Sequence, residues 1–331
     1  MRRIYFIIPV YNVEKYLVRC VMSVVRQSYG NNRIVIVNDG SDDNSPAICD
    51  ELEKTYENIT VIHKPNGGLS DARNAGIDYC INDGDDGDYI SFLDSDDYVS
   101  EDFSEKMIAL CEENNCKTAQ CEYERGVMDN FTEQRKPAKT NICDAADALL
   151  GYRLKSLSCA KLFRLDLFKE NIRFPENMIN EDEFVTYRLV YRGQRIAFTS
   201  EKLYYYYKNE NSIMDDVAKK MKDNPHRYDY LKAYEERASF FEKENKPDLV
   251  MRTYEKVCTD IVLRYCEQMY LEKEDRDTDC VSGKYIAIYK ENYKKMIGRK
   301  GIPLQKKFMY KMFYIFPKSA VLAGRIFALR R

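Results

Sequence analysis

Within the first hundred residues, apolar runs of strand length alternate with amphipathic stretches at helical spacing, and this alternation constrains the fold more than any other property of the chain. The runs Ile4 to Pro9, Ile34 to Asn38, Ile59 to His63 and Tyr89 to Asp94 read as strands. Between the first two, Val13, Tyr16, Leu17, Cys20, Val21, Val24 and Val25 form one apolar helical stripe. Ser45 followed by Pro46 predicts an N-cap with proline at the first helical position, opening a helix through Ile48, Cys49, Leu52 and Tyr56. A third helix is expected to start near Ser70. Such a pattern implies an α/β protein with a doubly wound, mostly parallel sheet, whose ligands bind beyond the carboxyl ends of the strands.

Those carboxyl ends carry PVYN at 9 to 12, NDGSDD at 38 to 43, KPNGG at 64 to 68 and DSDD at 94 to 97. All four are expected on one polar crevice. Asp94, Asp96 and Asp97 place three carboxylates within four positions, where they repel one another unless compensated. Two readings stand side by side. A hard divalent cation, Mg²⁺ or Mn²⁺, would be held by such oxygens together with a substrate's phosphates. An acidic turn capping a helix at Glu101 to Glu112 would look the same. No GxGxxG follows the first strand and no GxxxxGK[ST] occurs, which removes the main support for dinucleotide and P-loop chemistry. With His63 and His226 the only imidazoles, acid–base work falls to carboxylates. The cysteines, eleven and therefore odd in number, form no CxxC pair, so neither structural zinc nor a disulfide framework is expected.

Further along, a helix near 101 to 113, a strand over Thr118 to Arg125 and a polar loop over Asn130 to Thr140 are predicted. Phe184, Tyr187, Arg188 and Tyr191 suit a helix over Glu181 to Tyr191, and LYYYYKN at 203 to 209 an aromatic strand. Beyond Asp215 the periodicity is helical, broken near Pro225, Pro247, Gly298 to Pro303 and Pro317. The expected division is a domain of residues 1–214 and a helical region of residues 215–331. MRRIYFIIPVYN lacks a small-residue cleavage site and reads as a first strand. No apolar stretch reaches the roughly 18 to 20 residues that cross a bilayer. A cytoplasmic or peripheral location is therefore expected.

The ordered motifs PVYNVEKYL at 9 to 17, VNDGSDDNS at 37 to 45, NGGLSDARNAG at 66 to 76, FLDSDD at 92 to 97 and NEDEF at 180 to 184 resemble family 2 glycosyltransferases of the GT-A type, over about residues 1 to 213. That family inverts the anomeric centre of a nucleotide-activated sugar. The resemblance implies a UDP-sugar or similar donor, an acceptor on a glycan or lipid-linked glycan of a bacterial surface polysaccharide, and Mn²⁺ or Mg²⁺. Nucleic acid is not among the implied partners. Pro9, Tyr11 and Glu14 would lie beside the base, with Asp39 bonding base or ribose. Arg73 would face the donor phosphates or neighbouring carboxylates. Asp94 would face the ribose or the ion's water shell, and Asp96 would ligate the ion directly. Asp97 stays open between this cluster and a helix cap. Asp182, with Glu181 beside it, would be the base opposite the leaving diphosphate, a place where clustered charge and burial raise a carboxyl pKa. Lys208 stands where the family often has arginine and would be a cation over the diphosphate.

Two other functions compete: a membrane-tethered binding module without catalysis, and a sugar-phosphate nucleotidyltransferase. The intact set of acids disfavours the first, and PVYNVEKY in place of a glycine-rich basic loop disfavours the second. Residues 292 to 331 hold eleven Lys or Arg and no Asp or Glu, although the net charge of the whole chain is only −2. Over 303 to 331 basic and apolar residues interleave at helical spacing. That tail either attaches the protein to the inner, anionic membrane face or packs on the catalytic domain.

Overall fold

Strand β1 (Ile4–Val10) is buried at every position, because it lies between two parallel neighbours with helices above and below. On one side are β2 (Asn32–Asp39) and beyond it β3 (Ile59–Lys64); on the other is β4 (Tyr89–Phe92). The computed structural model describes residues 1–126, 138–151, 153–208, 226–271 and 276–318. These divide into two compact units, Met1–Asn209 and Glu210–Arg331.

The parallel quartet follows the predicted alternation. Past β4 the sheet becomes mixed, in the order β3-β2-β1-β4-β8-β6-β9-β5 with β7 on the flank of β9. Here β8 (Lys161–Arg164) is antiparallel to both β4 and β6 (Thr118–Gly126), and β9 (Arg195–Tyr207) is parallel to β6. The short β5 (Tyr98–Val99) and β7 (Thr140–Asp144) are each antiparallel to β9. The loop predicted over 130 to 140 lies outside the described residues as far as residue 137, and its last residue opens β7.

Helix α1 (Leu17–Val25) is shorter than the apolar stripe that announced it, with Val13 and Tyr16 ahead of its first turn. Helix α2 spans Ser45–Thr55 and is preceded by Asn44, so Ser45 is its first helical residue instead of its cap. The Ser45 hydroxyl instead accepts the Val13 N–H at 3.1 Å, tying the start of α2 to the loop after β1. Helix α3 (Leu69–Asp83) packs closely on β1: a methyl on Gly76 would lie 2.5 Å from a methyl of Ile7. That close approach sets where the polar side of α3 meets the ends of the strands. Helices α4 (Phe103–Glu112), α5 (Ala145–Leu150) and α6 (Asp182–Arg192) also belong to the first unit.

In the second unit, helices Asp229–Lys243, Pro247–Tyr270, Gly283–Met296 and Leu304–Ile315 surround a core that includes Tyr234, Cys258, Ile261, Tyr289 and Phe313. Pro247 is the first residue of its helix, which is where proline costs no hydrogen bond. Among the described residues, no helix is long and apolar enough to cross a membrane.

Candidate active site

The loops after β1 and β2 are laced together by side chains and backbone. Asn12, at φ +52°, donates its N–H to the Ser41 hydroxyl at 3.1 Å and accepts the Asp42 N–H at 2.8 Å. Glu14 accepts the Asn44 N–H at 2.9 Å, and its own N–H donates to Asp43 at 3.0 Å. Pro9 is buried opposite Val37, while Tyr11, just past the end of β1, is 49% exposed.

Asp39 ends β2 and is buried. One of its oxygens accepts Lys64 Nζ at 2.6 Å and Gly67 N–H at 2.9 Å; the other accepts Gly68 N–H at 2.7 Å. Lys64 also pairs with Asp71 in the first turn of α3. This network folds KPNGG against the end of β2, and it requires glycine: Gly40 sits at φ +69° with Asn66 N only 2.8 Å from where a methyl would stand, and Gly68 at φ +89°. Lys64 received no role from the sequence; it stood at a strand end just ahead of Gly67 and Gly68, but its partner Asp39 lies 25 residues earlier.

Arg73 on α3 is the centre of the arrangement. Its side chain is 3% exposed and donates to Asp94 at 2.8 Å, to Glu181 at 2.6 Å and, more distantly, to Asp182 at 3.4 Å. The guanidinium also lies 5.2 Å from the Phe174 ring centre and 6.0 Å from that of Phe92. Asn74 fixes Phe174 through paired bonds of 2.8 and 2.9 Å to its backbone, a brace that no local signal announced. Asn180, at φ +61°, turns the chain just before Glu181, so that Glu181 and Asp182 meet Arg73 at the amino end of α6. Burial opposes the Arg73 charge, but Asp94, Asp182 and Glu181 more than offset it and hold the cation firmly protonated. Burial raises the Asp182 carboxyl to about 6, with Arg73 pulling it down and Glu181 pushing it up. Lys161 of β8, another group the sequence did not single out, is buried; its ammonium donates to Leu157 O at 2.5 Å and burial lowers it to about 8.

The acids of DSDD separate. Asp94 and Asp96 are half-buried at the crevice. Asp97 turns inward, accepting the Tyr204 hydroxyl at 2.5 Å and the Tyr207 N–H at 2.8 Å, and burial, reinforced by Asp94 and Asp96, pushes its carboxyl well above the usual range. It therefore neither joins an ion-holding trio nor caps α4, which is preceded by Asp102. Among the described residues, no three Asp, Glu, His or Cys side chains converge as a metal cage. A pair of half-buried carboxylates at a strand end does suit a Mg²⁺-like ion that brings substrate phosphates as its remaining ligands. Lys208 is exposed directly after β9, and its N–H donates to Gly126 O at 2.8 Å.

Thus Pro9, Tyr11, Glu14, Asp39, Arg73, Asp94, Asp96, Glu181 and Asp182, drawn from five separate segments, lie along the carboxyl ends of the parallel strands and the facing end of α6.

Residues 5–179 match the model of the family described as "Glycosyl transferase family 2". EpsH of Bacillus subtilis (strain 168) is 30% identical over 256 residues, which cover 72% of this chain and 69% of EpsH. TarS of Staphylococcus aureus (strain MW2), a poly(ribitol-phosphate) beta-N-acetylglucosaminyltransferase, is 27% identical over 216 residues, 62% of this chain and 35% of TarS. The chain thus spans about a third of that relative. The crystal structure of S. aureus TarS 1-349 with UDP-GlcNAc superposes with a TM-score of 0.67 at 19% identity, covering 96% of this chain and 89% of the other. Mannosyltransferase PcManGT from Pyrobaculum calidifontis, solved with GDP-Man and Mn²⁺, gives a TM-score of 0.50 at 13% identity, covering 96% and 88%. These superpositions identify the architecture as GT-A.

Proposed function

The chain belongs to glycosyl transferase family 2, and on that premise we propose that it is a metal-dependent, inverting glycosyltransferase. It moves a sugar from a nucleoside-diphosphate donor, UDP-linked as in the TarS complex, to a hydroxyl of a glycan or lipid-linked acceptor in surface polysaccharide synthesis. One observation carries this reading: buried Arg73 gathers Asp94, from the DSD strand end, and the Glu181/Asp182 pair into one cluster. Leaving-group and base chemistry then share a single electrostatic centre.

In this mechanism Tyr11 and Pro9 border the base, with Glu14 shaping the loop below it, and Asp39 holds the KPNGG loop at the ribose. Asp94 and Asp96 would hold Mn²⁺ or Mg²⁺, which neutralises the leaving diphosphate when bound. Arg73 orients Asp94 and keeps the two α6 acids close without letting them repel freely. Asp182, ionised above about 6, accepts the acceptor hydroxyl's proton on a carboxylate oxygen while that hydroxyl attacks the anomeric carbon from the face opposite the diphosphate. Glu181, more tightly bound to Arg73, is held as its electrostatic neighbour. Lys208 supplies positive charge near the diphosphate. Residues 1–214 form the catalytic domain in this proposal, and residues 215–331 the helical appendage.

The same proposal places the protein at the cytoplasmic face of the membrane. Helix Leu304–Ile315 buries Tyr310 and Phe313 in the core of its unit but exposes Leu304, Phe308 and Ile315, with exposed Lys311 and Lys318 nearby. An apolar face rimmed by lysine suits anionic lipid.

A nucleotide-sugar panel with Mn²⁺ tests the reaction, read as nucleoside diphosphate released with and without acceptor glycans. Release from at least one donor, stimulated by metal, is expected. Donor binding without release from any would reduce the protein to a binding module.

A further inference from the structure

The turn that follows β4 sorts its acids: Asp94 and Asp96 to the crevice, Asp97 to the interior. Three of the bonds that hold its backbone come from the turn itself and from α1. Asp97 N–H donates to Asp94 O at 2.9 Å, and the Cys20 thiol of α1 reaches the same oxygen at 3.5 Å. The third hold is Arg19, one residue earlier on α1, whose guanidinium donates to Asp96 O at 2.9 Å. That guanidinium also lies 4.0 Å from the ring centre of Tyr207, 5.1 Å from Tyr98 and 5.9 Å from Tyr16. Tyr207 donates its own N–H to Asp97. A single cation therefore touches the peptide between Asp96 and Asp97 and the end of the strand that pulls Asp97 inward.

The direction of a peptide carbonyl constrains the side chains on either side of it, since the peptide unit is planar. We propose that Arg19 is a positioning residue for donor binding: by holding the Asp96 carbonyl against the tyrosine cage, it aims the Asp96 carboxylate at the diphosphate-bound cation without touching the reactants. Arginine is suited to this, because its flat face stacks on an aromatic ring while its edge N–H donates in plane. Lysine keeps the charge but cannot do both. The inference rests on the reading of Asp96 as ion ligand given above.

Calorimetric titration of the full chain with UDP, in Mn²⁺ and in EDTA, tests it on wild type, Arg19→Lys and Tyr207→Leu. Wild type is expected to bind UDP more tightly with Mn²⁺. In Arg19→Lys that affinity falls about tenfold while the metal-free affinity is unchanged, and turnover recovers as Mn²⁺ is raised, a shift in the metal requirement more than in kcat. Tyr207→Leu removes the stacking surface and gives the same pattern; it decides the matter if Arg19→Lys does not fold. Equal loss with and without Mn²⁺, or affinities within about twofold of wild type in both conditions, overturns the role of Arg19. A wild type without any Mn²⁺-dependent gain overturns the ion site at Asp96 first, and this proposal with it.

Discussion

Replacing Arg73 by methionine removes one positive charge from among three carboxylates and keeps an unbranched apolar stem in place of the arginine's, without the guanidinium that faces Phe174 and Phe92. Breaking a buried ion pair by deleting one partner costs about 3 to 5 kcal/mol, because the remaining charge stays desolvated. Glu181 and Asp182, at 13% and 14% exposed, stay mostly desolvated and share that cost, whereas Asp94, at 30%, is partly relieved by water. A loss of about 3 to 4 kcal/mol at pH 7.5 is therefore expected. The loss should depend on pH, with the sign set by Asp182. Its carboxyl titrates at about 6 when folded against about 4 when unfolded, so between those values the folded protein binds more protons than the unfolded one. Stability from this group is thus present below about 4 and declines as pH rises through about 6, by about 3 kcal/mol in total. Without Arg73, the charge that pulls the Asp182 carboxyl down, its folded value climbs higher and it accepts a proton earlier as the pH falls. The variant should therefore recover much of its deficit at pH 5. Urea denaturation of both proteins at pH 7.5 and pH 5 measures the two differences. A deficit below about 1 kcal/mol at pH 7.5, or one equal at both pH values, would refute a buried cation compensating ionised acids.

Other outcomes follow from the same geometry. Asp182→Asn should keep UDP affinity but lose turnover by orders of magnitude, since it acts only on the proton in flight; near-normal turnover would move the base to Glu181. In wild type, kcat/KM should fall below a pH of about 6 as Asp182 is protonated, and a flat profile from pH 5 to 8 would contradict this. Asp96→Ala should abolish the Mn²⁺-dependent part of UDP binding, which calorimetry in Mn²⁺ and EDTA reads directly. Phe308→Ser with Ile315→Ser should reduce co-sedimentation with anionic vesicles while leaving the thermal midpoint nearly unchanged, because both side chains are exposed whereas Tyr310 and Phe313 are not; undiminished pelleting would remove this face from the membrane reading.

How much of this could be read without coordinates depends on how far apart the interacting groups lie in the chain. The parallel quartet was legible because its signals are local: apolar runs, helical stripes, and turn residues at each strand end. The crevice followed, since strand ends of a doubly wound sheet must share one side. By itself, then, the sequence determined the α/β class, the four loops of the site and the list of acids available to it. It did not show which of those acids turn inward and which stay at the crevice. Asp96 and Asp97 are adjacent and locally alike; what separates them is a tyrosine hydroxyl and a backbone N–H on β9, more than a hundred residues away. Arg73 gave no sign of its burial, because its partners Glu181 and Asp182 stand 108 and 109 positions further on. The mixed half of the sheet was equally hidden: β8, β6, β9 and β5 pair out of chain order, and strand pairing at long range leaves no periodic trace in any one segment. In helix Leu304–Ile315, spacing showed an apolar and basic mixture but not which apolar groups were spoken for. Packing decided that, by burying Tyr310 and Phe313 against the helices around them and leaving Leu304, Phe308 and Ile315 outside.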